Sequence, residues 1–434
     1  MLLPITIIIP LFLLVITNTK SFKVLSNGSV HIPSLERHRI KIIKPSLDNL
    51  THKEDLKQLV NQHAENGLDI LIHGPPGLGK TYSMLTYACE ITRSVKNVKA
   101  NVPFRTLYIS HSRELSIQSA EFTSCLLNRQ KVSLLIGKAC KTDLISLKKR
   151  FILATSNALA EYLLLLDSDD RKLFLESIKL LLIDEIDALF KLPNKYNQKK
   201  IELWSRKKTQ FYNILQAILA VNKNKTQIIA ASATLNRTLS RTLDSIIHTF
   251  KKGKKTGNMV YIRVEQELEK SETTSGNVQL YYHVCDNFDD EIDYLSKIVT
   301  NETLIFANHN YSLIKIRESL LSYGIESTLL HESMGIKDKN MLTMDKILDT
   351  YKANKIHNDG VKIASMDSAR GVITMSKNVV LLGKPRNSKE LIHLIGRAVH
   401  NGDGGKCTII GQQNDIDCVV KYCSLINKNI AGVP

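Results

Sequence analysis

A glycine-rich turn between a short apolar run and a following helix constrains this chain more than any other feature. Residues 70–81 are ILIHGPPGLGKT, which fits the pattern G-x-x-x-x-G-K-[ST] at every fixed position. Glycines let the backbone curl so that several N–H groups face inward, and the next helix points its positive end at the same place. The stretch predicts a phosphate-binding loop between a strand and a helix at residues 82–93. The alternative is an ordinary strand–turn–helix connection.

The residues of this loop have separate expected roles. Lys80 would reach the β- and γ-phosphates of a nucleotide, and Thr81 would ligate Mg²⁺. The candidate nucleotide-binding residues are Gly74, Pro75, Pro76, Gly77, Leu78, Gly79, Lys80 and Thr81.

An acidic pair after a second apolar run also indicates nucleotide chemistry. Residues 180–183 are all apolar, and Asp184 and Glu185 follow them directly. In this Walker B arrangement the aspartate holds Mg²⁺ through water, and the glutamate orients or deprotonates the attacking water. Acidic pairs after apolar runs are common by chance, but the phosphate loop upstream favours the functional interpretation.

Polar motifs recur directly after predicted strands, which alternate with helical segments along the chain. This alternation predicts an α/β fold with a parallel sheet and a site at the carboxyl ends of its strands. A second α/β pattern begins at residue 278, after a polar stretch. We therefore predict a leader at residues 1–45, a first domain at 46–264, a linker at 265–277 and a second domain at 278–434.

The order of the motifs resembles that of the DEAD-box type of superfamily 2 helicases over roughly residues 50–425. Matching residues include Arg113-Glu114-Leu115, a D-E-x-D at 184–187, S-A-T at 232–234, Ala369-Arg370-Gly371, and His393 with Gly396-Arg397. The resemblance implies two tandem RecA-like domains, each a parallel sheet flanked by helices, with ATP and Mg²⁺ in the cleft between them. It also implies ATP hydrolysis that drives the clamping and separation of RNA duplexes.

The resemblance carries roles to individual residues of this chain. It implies catalytic roles for Asp184, Glu185, Arg370 and Arg397, the last as an arginine finger. It implies that Asp187, Ser232, Ala233, Thr234 and His393 couple the nucleotide to domain closure. It implies nucleic-acid contacts, mostly to phosphate and sugar, for Ser112, Arg113, Thr155 and Ser365.

Several positions depart from the family pattern. Ala158 replaces an arginine that grips the nucleic acid, Ile373 replaces an aspartate, and His400 replaces a second arginine finger. Lys57 stands where the family has an adenine-reading glutamine, with Gln58 one residue later. These losses leave a nucleotide-gated RNA clamp or scaffold as an alternative function. An AAA+ ATPase is a further alternative, against which the second α/β domain argues.

Charge and cysteine content bound the partners of the chain. The formal net charge is +17 with a pI of about 9.4, which favours a polyanionic partner such as nucleic acid. The alternative is a general bias toward Lys, Asn and Ile. RNA is the expected partner, while DNA and an activating protein partner stay open. The seven cysteines form no C-x-x-C pair, which predicts free thiols instead of disulfides or a zinc site.

The first 45 residues differ in composition from the rest of the chain. Residues 1–17 are Leu/Ile-rich and uncharged, and residues 20–44 carry six Lys or Arg against one acid. This composition resembles the two-part address of proteins sent through the secretory pathway to a secondary plastid such as the apicoplast. Secretion and an uncleaved membrane anchor are the alternatives. We expect no stable membrane span in the mature protein.

Overall fold

Parallel strands connected by helices build the first sheet, because each strand must return to the same edge before the next one begins. The computed structural model describes residues 41–43, 53–74, 78–95, 103–138, 147–193, 197–235, 237–251, 259–264, 278–336, 344–356, 360–369, 376–398 and 405–433. The strands of the first sheet are β1 (Lys41–Ile43), β2 (Ile70–His73), β3 (Arg105–Ser110), β4 (Val132–Leu135), β5 (Phe151–Thr155), β6 (Ile178–Ile183), β7 (Gln227–Ser232) and β8 (Val260–Arg263). Their order is β1-β8-β2-β7-β6-β3-β5-β4, with parallel pairing throughout.

Helices cover both faces of this sheet. Successive side chains of a strand point to opposite faces, so Ile70 and Ile72 pack in one hydrophobic cluster and Leu71 packs in another. The helices of this domain are α1 (Lys53–Ala64), α2 (Lys80–Ser94), α3 (Arg113–Leu126), α4 (Ser156–Leu165), α5 (Ser168–Ser177), α6 (Ile186–Phe190), α7 (Gln198–Arg206), α8 (Gln210–Asn222) and α9 (Arg237–Phe250).

A second parallel sheet with the order β11-β12-β10-β13-β14-β9-β15 follows. Its strands are β9 (Gln279–Val284), β10 (Thr303–Ala307), β11 (Ser327–Leu329), β12 (Val361–Ser365), β13 (Asn378–Leu382), β14 (Lys406–Gly411) and β15 (Ala431–Gly432). Its helices are α10 (Phe288–Ile298), α11 (Leu313–Ser322), α12 (Leu330–Ser333), α13 (Met344–Ile356), α14 (Ser388–Ile395) and α15 (Gln413–Leu425). The predicted fold class of two tandem parallel α/β domains is confirmed.

Two details differ from the sequence prediction. Strand β1 lies inside the range assigned to the leader, because it pairs with β8 at the edge of the first sheet. The first domain therefore begins by residue 41 and not at residue 46. The run Thr328-Leu329-Leu330-His331 resembles a strand that ends at a histidine, but β11 ends at Leu329 and His331 lies in helix α12. The predicted linker at 265–277 and the apolar part of the leader lie outside the described residues, and no helix among those described is long and apolar enough to cross a membrane.

Candidate active site

The glycine-rich turn follows β2 at the carboxyl edge of the first sheet. Lys80, only 8% exposed, folds back so that its Nζ donates a 2.8 Å hydrogen bond to the carbonyl of Gly74. Gly79 adopts φ 83° directly before α2, a conformation that favours glycine. A Cβ added to Gly74 would lie 2.6 Å from Cδ2 of Leu78. Pro75, Pro76 and Gly77 lie outside the described residues.

Asp184 ends β6 beside this turn and is almost completely buried. Its Oδ2 accepts a 2.6 Å hydrogen bond from Thr81 Oγ1 and a 3.0 Å bond from the Tyr108 hydroxyl. Burial raises the pKa of Asp184, and the hydrogen bonds from Thr81 and Tyr108 oppose that rise. The sequence analysis missed Tyr108. The available signal was a tyrosine in a buried aliphatic strand, since a buried phenol needs a polar partner.

Glu185 carries backbone strain and an unpaired carboxylate atom. It has φ 49° and ψ 52°, the left-handed region that non-glycine residues rarely occupy. Its Oε2 is buried and has no hydrogen-bond partner in the described part of the chain. Burial, with Asp187 and Asp184 nearby, raises the pKa of Glu185 to about 7, while Lys80 opposes the shift. A carboxylate in this state can act as a base near neutral pH.

The second domain contributes residues to the same place. Ligand atoms of Glu185, Asp187 and His393 lie within 4.8 Å of one another, although His393 belongs to α14. Arg397, two residues beyond α14, has a buried Nε with no hydrogen-bond partner among the described residues. Burial lowers the pKa of Arg397 to about 10, and the nearby Glu185 opposes that shift. Arg370 lies outside the described residues.

The S-A-T residues contact the acidic motif directly. Ser232 Oγ donates to Asp187 Oδ1 at 2.8 Å, and Thr234 Oγ1 donates to Asp187 Oδ2 at 2.6 Å. The backbone of Ala233 hydrogen-bonds the side chain of His73. The ends of β2, β6 and β7 are thereby joined around one carboxylate, which lies beside His393 of the other domain.

The four candidate nucleic-acid residues lie at the last residue of a strand or shortly after one, and two of their hydroxyls cap helices. Ser112 Oγ accepts a hydrogen bond from Leu115 N at the start of α3, and Thr155 Oγ1 accepts one at the start of α4. Arg113 is exposed and has its charge beside the first of these helix ends. Ser365 Oγ lies 2.8 Å from Ser368 Oγ after β12. The structure therefore distributes these residues over strand ends of both sheets.

The position expected to read adenine is engaged elsewhere. Lys57 Nζ lies 3.4 Å from Glu90 Oε1 on α2, and Gln58 is exposed. These contacts do not place either side chain against the phosphate loop. Neither Lys57 nor Gln58 is therefore assigned to adenine recognition.

The donor set fits a triphosphate chain with a divalent cation. Lys80 supplies a buried ammonium, Thr81 and Asp184 supply adjacent oxygens, and a glycine occupies a turn that a Cβ would block. Hard oxygen ligands of this kind suit Mg²⁺. The unpaired atoms of Glu185 and Arg397 are the donors and acceptors that an occupant would satisfy.

Comparisons with known proteins agree with this geometry. Residues 55–242 match the model of the DEAD/DEAH box helicases. The "Probable ATP-dependent RNA helicase DDX52" of Bos taurus is 26% identical over 85% of this chain and 56% of its own length. The "ATP-dependent rRNA helicase RRP3" of Encephalitozoon cuniculi is 22% identical over 88% of this chain and 86% of its own length. The chain is therefore similar to the DEAD/DEAH box helicases, through the family match at residues 55–242 and through relatives that align along most of its length.

Solved structures share the fold of this chain. Mss116p bound to ssRNA and AMP-PNP aligns with a TM-score of 0.62 at 16% identity, over 91% of this chain and 82% of that one. Saccharomyces cerevisiae Dbp5 bound to RNA and ADP BeF3 aligns with a TM-score of 0.60 at 16% identity, over 90% and 95%. These likenesses identify the two domains as tandem RecA-like domains. The chain spans about half the length of its bovine relative.

Proposed function

We propose that this protein is an ATP-dependent RNA helicase or RNA-remodelling ATPase. The observation that carries the proposal is the meeting of two domains at buried, unpaired polar atoms. Glu185 Oε2 comes from the first domain and Arg397 Nε from the second, and Glu185 acts on the pKa of Arg397. An acid and an arginine in one cleft are the two groups that phosphoryl transfer to water requires.

Each residue of the cleft has a task in this reaction. Lys80, Thr81 and the turn bind the phosphates, and Asp184 positions the cation. When bound, Mg²⁺ would neutralise phosphate charge. Glu185 takes the proton of the attacking water, and its raised pKa suits it to that role near neutral pH. Arg397 offsets the charge that develops on the transferring group, an effect worth roughly 10³–10⁵ in rate in other NTPases.

RNA is the proposed polymer because relatives named as RNA helicases match along most of the chain. The formal net charge of +17 supports an anionic partner. Helix starts at α3 and α4, together with exposed Arg113, offer N–H groups and one positive charge to phosphates. Binding is then tolerant of sequence and weakens as salt concentration rises.

An RNA clamp that hydrolyses ATP slowly is the second candidate function. Ala158 N–H donates to Thr155 Oγ1, and its methyl side chain is buried, so neither group extends to a phosphate. The grip on one strand is therefore weaker here than an arginine would give. A clamp retains RNA when ATP is bound but separates few duplexes.

Steady-state ATP hydrolysis with and without single-stranded RNA tests the proposed function, with Lys80→Ala as the inactive control. We expect RNA to raise the rate in the wild-type protein and to leave the Lys80→Ala rate flat. An ATP hydrolysis rate that RNA does not change would contradict the helicase assignment. RNA retention without duplex separation in the same preparation would select the clamp.

We further propose that residues 1–40 direct the protein through the secretory pathway to a secondary plastid. The support is the uncharged apolar start and the basic stretch after it. The leader ends before β1, since residues 41–43 pair in the first sheet. A fluorescent reporter carrying residues 1–40, expressed in a plastid-bearing host cell, should reach the plastid. Reporter fluorescence in the cytosol, in secreted material or in the cell membrane would refute this destination.

A further inference from the structure

Helix α7 of the first domain has no buried residue and contains none of the residues assigned to ATP. It is attached mainly through Trp204, whose indole Nε1 donates a 3.3 Å hydrogen bond to the carbonyl of Phe190 at the end of α6. The ring of Tyr212 meets the Trp204 ring edge-on, with centroids 5.8 Å apart. Leu203, next to this anchor, is 65% exposed. The helix therefore presents an apolar side chain that the described part of the protein leaves uncovered.

A groove of about 1050 Å³ lies between α7 and the segment that follows α6, and we call it the α7 groove. Its apolar lining includes Leu192, Leu203 and Trp204. Its charged lining residues are Lys191, Lys199, Lys200 and Lys207, and none of its described lining residues is acidic. The groove thus combines apolar surface with a one-signed charge.

The positive charge extends beyond the lining itself. Residues 191–208 contain seven Lys or Arg and a single acid, Glu202. The carboxylate of Glu202 pairs with Arg206 one turn along α7, so it offsets little of the groove's charge. A cleft lined by one sign of charge concentrates counter-charged ligands and speeds their association. The occupant that complements this groove is anionic.

The backbone at Lys191 supports a functional use of this surface. Lys191 has φ 47° and ψ 46°, where glycine would avoid a cost of roughly 1–3 kcal/mol. The side chain is exposed and lines the groove. Glycine would adopt this backbone conformation at a lower conformational free energy. A lysine at this position therefore points to a role for its charge.

Two anionic macromolecules could complement the charge, and the aromatic geometry separates them. Single-stranded RNA binds such surfaces by stacking bases on open aromatic faces. Lys208 Nζ lies 3.3 Å from the centroid of the Trp204 ring, and Tyr212 packs against the same ring. Lys208 therefore lies over one face of the ring and Tyr212 contacts it edge-on, which leaves less open aromatic face for a base to stack on, although the ring still lines the groove. An exposed leucine among lysines suits a peptide with apolar and acidic side chains.

We propose that the α7 groove docks an acidic segment of a partner protein that also carries apolar side chains. Carboxylates of that segment pair with the lysines, and an apolar residue covers Leu203. The groove starts at Lys191, directly after α6, so the docked segment contacts the first domain next to α6. The inference goes beyond the proposed ATPase function and does not depend on it.

Selection from a phage-displayed library of random linear peptides on the full-length protein supplies the probe. The selected peptide is then titrated by fluorescence anisotropy against wild type, Lys199→Glu/Lys200→Glu and Leu203→Ser. Lys148→Glu/Lys172→Glu is the matched control, because it reverses two exposed lysines of the same domain outside the groove. The thermal midpoint of each variant checks folding.

We expect selected peptides rich in Asp and Glu together with Leu, Ile or Phe. Lys199→Glu/Lys200→Glu should weaken their binding at least about tenfold, and the control less than about twofold. Leu203→Ser should weaken binding without a change in net charge. Peptides without acidic enrichment, or binding that all variants retain, would overturn the proposal. Displacement of the peptide from wild type by poly(U), together with direct binding of labelled poly(U) that Lys199→Glu/Lys200→Glu abolishes, would reassign the groove to RNA.

Discussion

At the scale of single residues, the strained backbone of Glu185 marks the centre of the cleft. A non-glycine residue at φ 49° costs roughly 1–3 kcal/mol, and such strain concentrates at functional sites. The carboxylate is also buried with one oxygen unpaired among the described residues. Two unfavourable features at one residue are explained when the residue serves the reaction and not the stability of the fold.

The first residue-scale prediction concerns Glu185→Gln. The amide keeps the shape of the side chain but cannot accept a proton, so hydrolysis should fall by roughly 10²–10⁴. Binding of a fluorescent ATP analogue should stay within a few-fold of wild type. Glu326→Gln, an exposed site in the second domain, is the control. A Glu185→Gln protein that hydrolyses ATP at the wild-type rate would remove Glu185 from the mechanism.

The second residue-scale prediction concerns Tyr108→Phe. The Tyr108 hydroxyl donates to Asp184 Oδ2 at 3.0 Å and accepts from Ser119 Oγ at 3.0 Å. Loss of a donor to a charged group costs roughly 1.5–3 kcal/mol, so the carboxylate becomes less well oriented and less stable as an anion. The Mg²⁺ concentration for half-maximal ATP hydrolysis should rise several-fold. Ser119→Ala, one bond further away, should have a smaller effect; equal Mg²⁺ dependence in Tyr108→Phe and wild type would contradict this role.

At the scale of secondary-structure elements, one buried ion pair joins three elements of the first domain. Lys251 Nζ, directly after α9, contacts both carboxylate oxygens of Asp69 at 2.7 Å and the carbonyl of Thr226 at 2.6 Å. Asp69 also accepts a 2.8 Å bond from Ile228 N on β7. The pair therefore fixes the start of β2 against β7 and the end of α9.

The element-scale prediction is that Lys251→Met lowers the free energy of unfolding by about 3–5 kcal/mol at pH 7.5. Burial already raises the pKa of Asp69, and Lys251 opposes that rise. Without Lys251 the folded-state pKa rises further above the unfolded value. In the Lys251→Met protein, Asp69 therefore supports the folded state at low pH, where its carboxyl is protonated. This contribution to stability is lost as the pH rises through the folded-state pKa of Asp69. The deficit relative to wild type should therefore shrink toward pH 4.

Chemical denaturation at several pH values measures this effect. Lys297→Met removes an exposed ion pair with Asp293 one turn along α10 and should change the free energy of unfolding far less than Lys251→Met does. The Asp69→Asn/Lys251→Met double variant should recover part of the loss, since no carboxylate is then left buried and unpaired. If the loss of unfolding free energy in Lys251→Met grew as the pH fell, an unpaired, ionised Asp69 would not be the cause of that loss.

At the scale of the whole molecule, a second contact joins the two domains away from the ATP cleft. Arg129, in a 3₁₀ turn before β4, lies 2.9 Å from Asp349 and 3.5 Å from Asp345 on α13. The side chain of Tyr351, also on α13, hydrogen-bonds Gln118 of α3. The two domains therefore contact each other both at the ATP cleft and at α13.

The molecule-scale prediction is that Arg129→Ala favours a more open arrangement of the domains. All three charged side chains are at least 32% exposed, so the contact is worth no more than about 1 kcal/mol and is screened by salt. At low salt, small-angle X-ray scattering should show a larger radius of gyration for Arg129→Ala than for wild type. The radius of gyration of wild type should approach that of the variant as the salt concentration rises. Arg317→Ala is the control, because its ion pair with Glu332 lies within the second domain. Identical scattering of the two variants would exclude this contribution to closure.

The sequence by itself determined the features that depend on neighbouring residues. The phosphate loop, the acidic pair after an apolar strand and the alternation of strands with helices are contiguous patterns, and the backbone of each follows from its own residues. The run RTLYIS at residues 105–110 is typical of a strand, and β3 has those bounds in the structure. The order of the motifs then sufficed to predict two tandem α/β domains.

Only the tertiary structure decided which distant side chains meet. Tyr108 reaches Asp184 across 76 residues of chain, and Arg129 reaches Asp349 across 220. Strand β1 joins the first sheet by pairing with β8. The local sequence of residues 41–43 does not predict this pairing. At the α7 groove, likewise, the indole N–H of Trp204 donates to the carbonyl of Phe190, fourteen residues earlier in the chain. Such contacts depend on how elements pack in three dimensions, and spacing along the chain carries no record of that packing.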